Sequence, residues 1–348
     1  MNQERQLTAD EIALYDRQIR LWGMKTQARI RRTKVLVIRL GAVGTECVKN
    51  LVLGGINSIE ILDDSVVRDV DFASQFFLPN DDAIIGKLKL PLVEDKIKEL
   101  NPAVHLTINT SQVDPLLTEA TYLKQFDVIV ASELSKEQIM KLSKTTRELN
   151  LPLYVTGMHG TYGYLFVDLI EHISQKTFGE STVSRKANTE LTKSKTIVDV
   201  KRNQKEKTDL VTIKDVYPPI HEIFTSKNIN KDVKKKFMQN YCGPLLATLA
   251  LLNIPKPTNP EDIIDSELLK TEALKICNNL EIPEKWLEEE EYIRDFSQQA
   301  FTEYSPTAAI LGGAVAQEVI LYLGKEESPV NNVMTLDTLR ARMPIYQS

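Results

Sequence analysis

The nine residues 15–23, YDRQIRLWG, hold two guanidinium groups three positions apart. In a helix, Arg17 and Arg20 share one face and Ile19 and Trp22 another. Such a helix buries its apolar side in its own domain, with Trp22 as the packing anchor, and holds out two permanent cations. A guanidinium is planar, always charged and able to hold two phosphate oxygens at once, so the chemistry on offer is stabilisation of negative charge. The local alternative is an ion pair of Arg17 or Arg20 with Asp16 or a nearby acid, worth only ~0–1 kcal/mol on a surface.

A second chemical feature follows at residues 35–44, VLVIRLGAVG, where a strand meets a glycine turn. A dinucleotide fingerprint needs glycine at three positions spaced GxGxxG. Here those positions hold Arg39, Gly41 and Gly44. Gly41 and Gly44 keep the sharp strand-to-helix transition and the close helix packing, but Arg39 stands where the tight turn wants glycine. The turn therefore speaks for a fold more than for a bound nucleotide. Asp63 lies ~20 residues further on, where an acid accepts ribose hydroxyls or, equally well, caps a loop. Hydride transfer would also need an acid or base, and none of His105, His159, His172 and His221 sits in a motif that nominates it.

Three cysteines, Cys47, Cys242 and Cys277, are far apart and form no CxxC pair, which argues against a disulfide framework and a thiolate zinc site. A thioester-forming cysteine should be an accessible, low-pKa thiolate. Cys47 falls inside the helix after the glycine turn and Cys277 on a helical stripe, so both read as core; Cys242 in NYCGP stands next to a bend.

These residues need elements to position them, and the first half of the chain has the rhythm of a doubly wound α/β fold. Strands are expected at 34–40, 58–62, 104–108, 127–131 and 152–155, alternating with helices at 43–53, 88–100 and 136–149. Residues 162–170 alternate as an antiparallel strand would. Residues 174–213 are rich in Lys, Ser, Thr, Asn and Gln and read as a flexible excursion around a short strand at 196–200. Residues 228–300 look helical. Pro306 opens an apolar helix closed by Gly324, and 333–336 reads as the last strand.

The chain has 348 residues, 42% hydrophobic and 26% charged, with 43 basic against 48 acidic groups and a net charge of −5. That balance makes no general case for nucleic acid or an anionic membrane. The N-terminus is polar, and no apolar run is expected to reach the ~18 residues of a membrane span. A soluble protein of a reducing compartment is expected.

Taken in order, YDRQIRLWG, LGAVGTE from Leu40, LDD from Leu62, SQFFL from Ser74, Gly86-Lys87, LNP from Leu100, LPLYVTG from Leu151 and the glycine-rich helix from Pro306 resemble the ubiquitin-activating enzyme superfamily. The likeness covers 8–172 and 300–340 and is greatest to the smaller, non-catalytic subunits of SUMO-activating heterodimers. It implies a mostly parallel, Rossmann-like sheet of the ThiF/MoeB adenylation type. It divides the chain into a discontinuous pseudo-adenylation domain (1–173 and 300–348), a flexible charged insertion (174–213) and a small helical accessory lobe (214–299).

Adenylating members carry an Asn-Arg-Gln-Phe run that handles ATP phosphates, and an aspartate after the fourth strand for magnesium and ATP. The matching residues here are Ala73, Ser74, Gln75 and Phe76, then Ser132, Glu133 and Leu134. Lys87 survives. Arg39, Gly41, Gly44, Asp63 and Lys87 thus outline a vestigial cleft, which Arg39 is expected to plug. The resemblance implies no metal, no thioester cysteine and no activity in this chain alone. It implies a homologous catalytic subunit that binds magnesium-ATP, with SUMO engaged through the complex, and neither nucleic acid nor membrane as partner.

Arg17 would then meet the γ-phosphate in the partner, while Arg20 serves there or at the subunit contact. The family suggests the nucleus, with some cytoplasmic protein. The basic runs 201–207 and 234–236 read equally as import signals or solvated loop charge. Three rivals are the regulatory subunit of a NEDD8-activating enzyme, a self-sufficient adenylating homodimer and a pure scaffold. The first needs a larger helical insertion than this chain holds; the second needs the arginine and aspartate missing at Ser74 and Glu133.

Overall fold

Short β-branched runs build the centre of an eight-stranded sheet. The strands β1 (Lys34–Ile38), β2 (Ser58–Leu62), β3 (His105–Asn109), β4 (Val128–Ser132) and β5 (Leu153–His159) run parallel. β6 (Tyr162–Asp168), β11 (Val333–Asp337) and β12 (Ile345–Tyr346) extend it antiparallel, in the order β12-β11-β6-β5-β4-β1-β2-β3. This computed structural model describes residues 7–179, 185–227, 229, 242–259, 262–287 and 290–348. The strand order reverses between β1 and β4, and the crevice beyond their carboxyl ends is where doubly wound folds place ligands.

Helices α1 (Ala9–Leu14), α2 (Asp16–Ile30), α3 (Ala42–Gly54) and α4 (Lys89–Leu100) lie in the first half of the chain. The short α5 (Val113–Leu116) and α6 (Ala120–Leu123) precede α7 (Lys136–Glu148). α8 (Gly243–Leu251), α9 (Ser266–Leu280), α10 (Glu290–Gln298) and α11 (Ser305–Gly324) complete the set. One hydrophobic core joins α3, α4 and α11 to Val35, Val37 and Val130. The other joins α7, α8 and α9 to Leu36, Ile129 and Val155.

Four features depart from the sequence reading. Residues 171–179 and 185–216 carry a second antiparallel sheet where the sequence suggests a flexible excursion. Its strands are β7 (Glu171–Gly179), β8 (Thr189–Glu190), β9 (Lys195–Asn203) and β10 (Thr208–Val216), in the order β7-β10-β9-β8. The composition misleads because its charges pair within the sheet: Asp209 with Arg202 at 3.1 Å, and the buried Asp215 with Lys195 at 3.4 Å. The helices of 243–298 are not a lobe apart either, since α8 is apolar nearly all round and shares its core with the main sheet. α11 is long and apolar enough to cross a membrane by length and composition, but half of that span is buried against the rest of the fold. Finally, α2 continues past a break at Gly23 to Ile30 instead of ending with the nonapeptide. Of the two basic runs, 201–207 lies at the β9–β10 turn, and 234–236 lies outside the described residues.

The nonapeptide is bolted to the end of α3. Gln18 donates to Leu53 O at 3.0 Å, and Trp22 Nε1 donates to Gln27, which donates in turn to Gly54 O. Tyr15 is buried, and its hydroxyl accepts from Asn101 at 3.0 Å. Arg31, also buried, donates to Glu11 and to the carbonyls of Gly55, Ile56 and Ala103, tying α1 to two loops. Gly55 has φ 79°, and a Cβ there would stand 2.5 Å from Tyr15 Cζ. Gly55→Ala is therefore expected to cost about 1–3 kcal/mol through backbone strain and displacement of Tyr15. A urea unfolding midpoint equal to wild type would show the arm to be held some other way.

Candidate functional site

The glycine-rich turn keeps its shape without its first glycine. Arg39 adopts φ 65°, the left-handed region, at a cost of roughly 1–2 kcal/mol for an L-residue. Its backbone is held on both sides: its N–H donates to Leu62 O at 2.8 Å, and its carbonyl accepts from Ser132 Oγ at 2.9 Å. Glu133, at the end of β4, is also left-handed, with φ 56°. Two such residues facing each other across the switch point mark a constrained site, as strained backbone often does. Arg39 is among the residues that line the cavity beside this turn.

The space for phosphate is filled by carboxyl groups. Glu303 accepts from the Ala42 N–H at 3.0 Å, at the amino end of α3, and from Ser74 Oγ. Helix amino ends are ready-made anion sites, so Glu303 holds the place a phosphate would take. Glu133 lies over the turn itself: a Cβ on Gly41 would fall 2.1 Å from Glu133 Oε1. Burial and the adjacent Glu303 push the Glu133 carboxyl up to about 8. Burial also acts to raise Glu303, but hydrogen bonds from Glu133, Ser74 and Ala42 outweigh it and hold that group below its ordinary value. The pair shares one proton, carried by Glu133. Gln75 straps the turn by donating to Leu40 O, and Ser74 donates to the Glu303 carboxylate. These residues do not fit a triphosphate.

The other expected site residues are dispersed. Gly44 packs against the Arg39 carbonyl, only 2.5 Å from where its Cβ would be. Asp63 is buried and accepts from Leu40 N and Ser65 N, both at 2.9 Å, which is the loop-capping arrangement. Lys87 is exposed and does not line the cavity. Lys89 is the buried lysine: it pairs with Asp71 at 3.4 Å and its charge acts on both Glu133 and Glu303. A usable sequence signal exists, because Lys89 falls on the same helical stripe as the buried Val93 and Ile97. All three cysteines are buried, and burial pushes each thiol up to about 12, the reverse of an activated thiolate.

The two arginines of the arm behave differently. Arg20 is clamped to Asp16 through two contacts, at 3.0 and 3.2 Å. Arg17 is exposed and makes no ion pair or side-chain hydrogen bond among the described residues. The site thus combines a phosphate position held by carboxyl groups with an exposed Arg17 on a well-anchored helix.

The doubly wound sheet, its altered glycine turn and the nonapeptide arm define an adenylation-type scaffold. The ThiF family model matches residues 15–347, and the chain belongs to the ThiF family. It is 36% identical to the DNA damage tolerance protein RHC31 of Saccharomyces cerevisiae over 98% of each chain. It is 28% identical to SUMO-activating enzyme subunit 1 of Homo sapiens, over 96% of this chain and 94% of that one. Among solved structures it is similar to PaaA (TM-score 0.57, 13% identity, 99% of this chain and 77% of that one) and to Escherichia coli MccB (TM-score 0.53, 12% identity, 96% and 71%). At those identities the structural likeness speaks for the fold alone.

Proposed function

We propose that this chain is the smaller, non-catalytic subunit of a SUMO-activating heterodimer. The observation that carries this reading is its likeness, over nearly the whole length of both chains, to proteins named SUMO-activating enzyme subunit 1. In such a complex the modifier's C-terminal carboxylate attacks the α-phosphate of magnesium-ATP held by the catalytic partner. This chain's part is electrostatic: Arg17 reaches the phosphates from the neighbouring subunit and stabilises charge developing on the leaving pyrophosphate. Two features of the site support that division of labour. Arg17 faces outward without a partner among the described residues, and carboxyl groups fill the cleft that would otherwise bind nucleotide here. A self-sufficient homodimer fits those carboxyl groups poorly. The proposed location is the nucleus, with some protein in the cytoplasm.

Co-expression with candidate catalytic subunits tests the reading. A one-to-one complex that catalyses pyrophosphate exchange only when SUMO is present is expected. Failure to co-purify with a SUMO-activating catalytic subunit, or exchange driven by a different modifier, would overturn it.

A further inference from the structure

Beside the carboxyl-filled turn, a cavity of ≈ 840 Å³ opens between the carboxyl ends of β1, β4 and β5 and the segment that leaves α8. Small-molecule sites commonly measure ~300–1,000 Å³ and pair apolar walls with a few placed polar groups. The walls here include Leu134, Met140, Met158, Ile254 and Phe301.

What the cavity lacks is partners for donors. His159 is 3% exposed, and its Nδ1 accepts from the Phe301 N–H at 3.1 Å, which leaves the ring proton on Nε2. Among the described residues that Nε2 has no partner, nor has the buried Nε of Arg39. Burial, with help from Lys256, lowers the His159 ring to about 3, so it is a neutral donor. Lys256 stands at the rim, 5.9 Å from the Phe301 ring, with no ion pair or hydrogen bond among the described residues. Lys136 is already committed to Asn253 at 2.6 Å.

The acids at the cavity are spoken for. Glu137 pairs with Lys141 at 2.9 Å, Glu303 is tied to Ala42 and Ser74, and Glu133 holds the shared proton. Glu133 Oε1, the remaining unpartnered atom, belongs to that neutral acid. Apart from that uncharged acceptor oxygen, the unmet demand comes from donors and cations, and it is for an acceptor carrying negative charge. Two fixed carboxylates nearby disfavour a polyanion, and Glu303 already fills the phosphate position.

We propose that this cavity binds a small amphipathic monocarboxylate. Its carboxylate accepts from Arg39, His159 Nε2–H and Lys256, and its apolar body lies against the Met and Leu walls. All the lining residues belong to this chain, and Arg17 is not among them.

Calorimetric titration of the intact chain with octanoate, and with octanol as the neutral molecule of equal length, tests this. One octanoate per chain is expected, bound about tenfold more tightly than octanol because its hydrogen bonds are charge-assisted. Arg39→Leu and His159→Phe should each weaken octanoate about fivefold or more while leaving octanol within about twofold. Lys256→Leu, at the exposed rim, gives the same reading should His159→Phe fail to fold. No saturable octanoate binding, equal affinity for octanol, or octanoate affinity unchanged in the folded variants would each overturn the proposal.

Discussion

Arg17→Ala in the assembled heterodimer is expected to slow modifier adenylation by about 10- to 100-fold. The estimate follows from one charge-assisted interaction, ~1.5–3 kcal/mol, at about tenfold per 1.4 kcal/mol. Trans arginines in GTPases contribute about 10³–10⁵, and the smaller figure expected here allows for magnesium sharing that charge in the proposed complex. Nothing in this chain's own fold depends on the side chain, which is exposed and unpaired among the described residues. The arm is fixed by Tyr15, Gln18 and Trp22, so heterodimer formation should survive. Arg17→Lys should recover only part of the rate, because an ammonium cannot hold two oxygens in one plane. Arg20→Ala should matter less, since Arg20 is engaged by Asp16. Wild-type pyrophosphate exchange by the Arg17→Ala complex would leave this subunit a scaffold.

Raising the pH from about 6.5 to 8.5 is expected to destabilise the wild-type chain more than Glu133→Gln. Burial and the adjacent Glu303 raise the folded pKa of Glu133 to about 8, from an ordinary 4.5. The folded state therefore binds the extra proton between those values. Its stabilisation is fully present below the unfolded pKa and is lost as pH climbs through the folded one. Each pH unit in that window removes up to ~1.4 kcal/mol.

His159 acts in the opposite sense, because its folded pKa is lowered to about 3 from 6.5, so its contribution disappears as pH falls through that range. The two slopes oppose each other below about 6.5, which is why the upper window isolates Glu133. Comparison with Glu133→Gln also cancels the raised Asp168 and Glu318 and the lowered His172, common to both proteins. The gap in melting temperature between wild type and Glu133→Gln should change steadily over that window. A constant gap would mean that Glu133 carries no proton in the fold.

The parallel sheet was legible because β1, β2 and β4 are short β-branched runs with helical stripes between them. The second sheet was not, because strands such as β9 hold their partners through Lys, Arg and Asp, and composition alone cannot tell paired charge from solvated charge. The altered turn could be read from Arg39, Gly41 and Gly44 as they stand. Its occupant could not: Glu303 reaches Ser74 across 229 residues and Ala42 across 261, a meeting that only the fold arranges. Lys87 and Lys89 differ by two positions, yet one is exposed and the other buried, because α4 begins between them.

The central claim is that this subunit lends a positive charge to chemistry housed in a sister chain, its own phosphate position being held by Glu303 and Glu133. The most direct measurement is a pyrophosphate-exchange and adenylate assay on the purified chain alone, with magnesium-ATP and SUMO. No exchange and no SUMO adenylate are expected until the catalytic subunit is added. Adenylate formed by this chain unaided would contradict the claim.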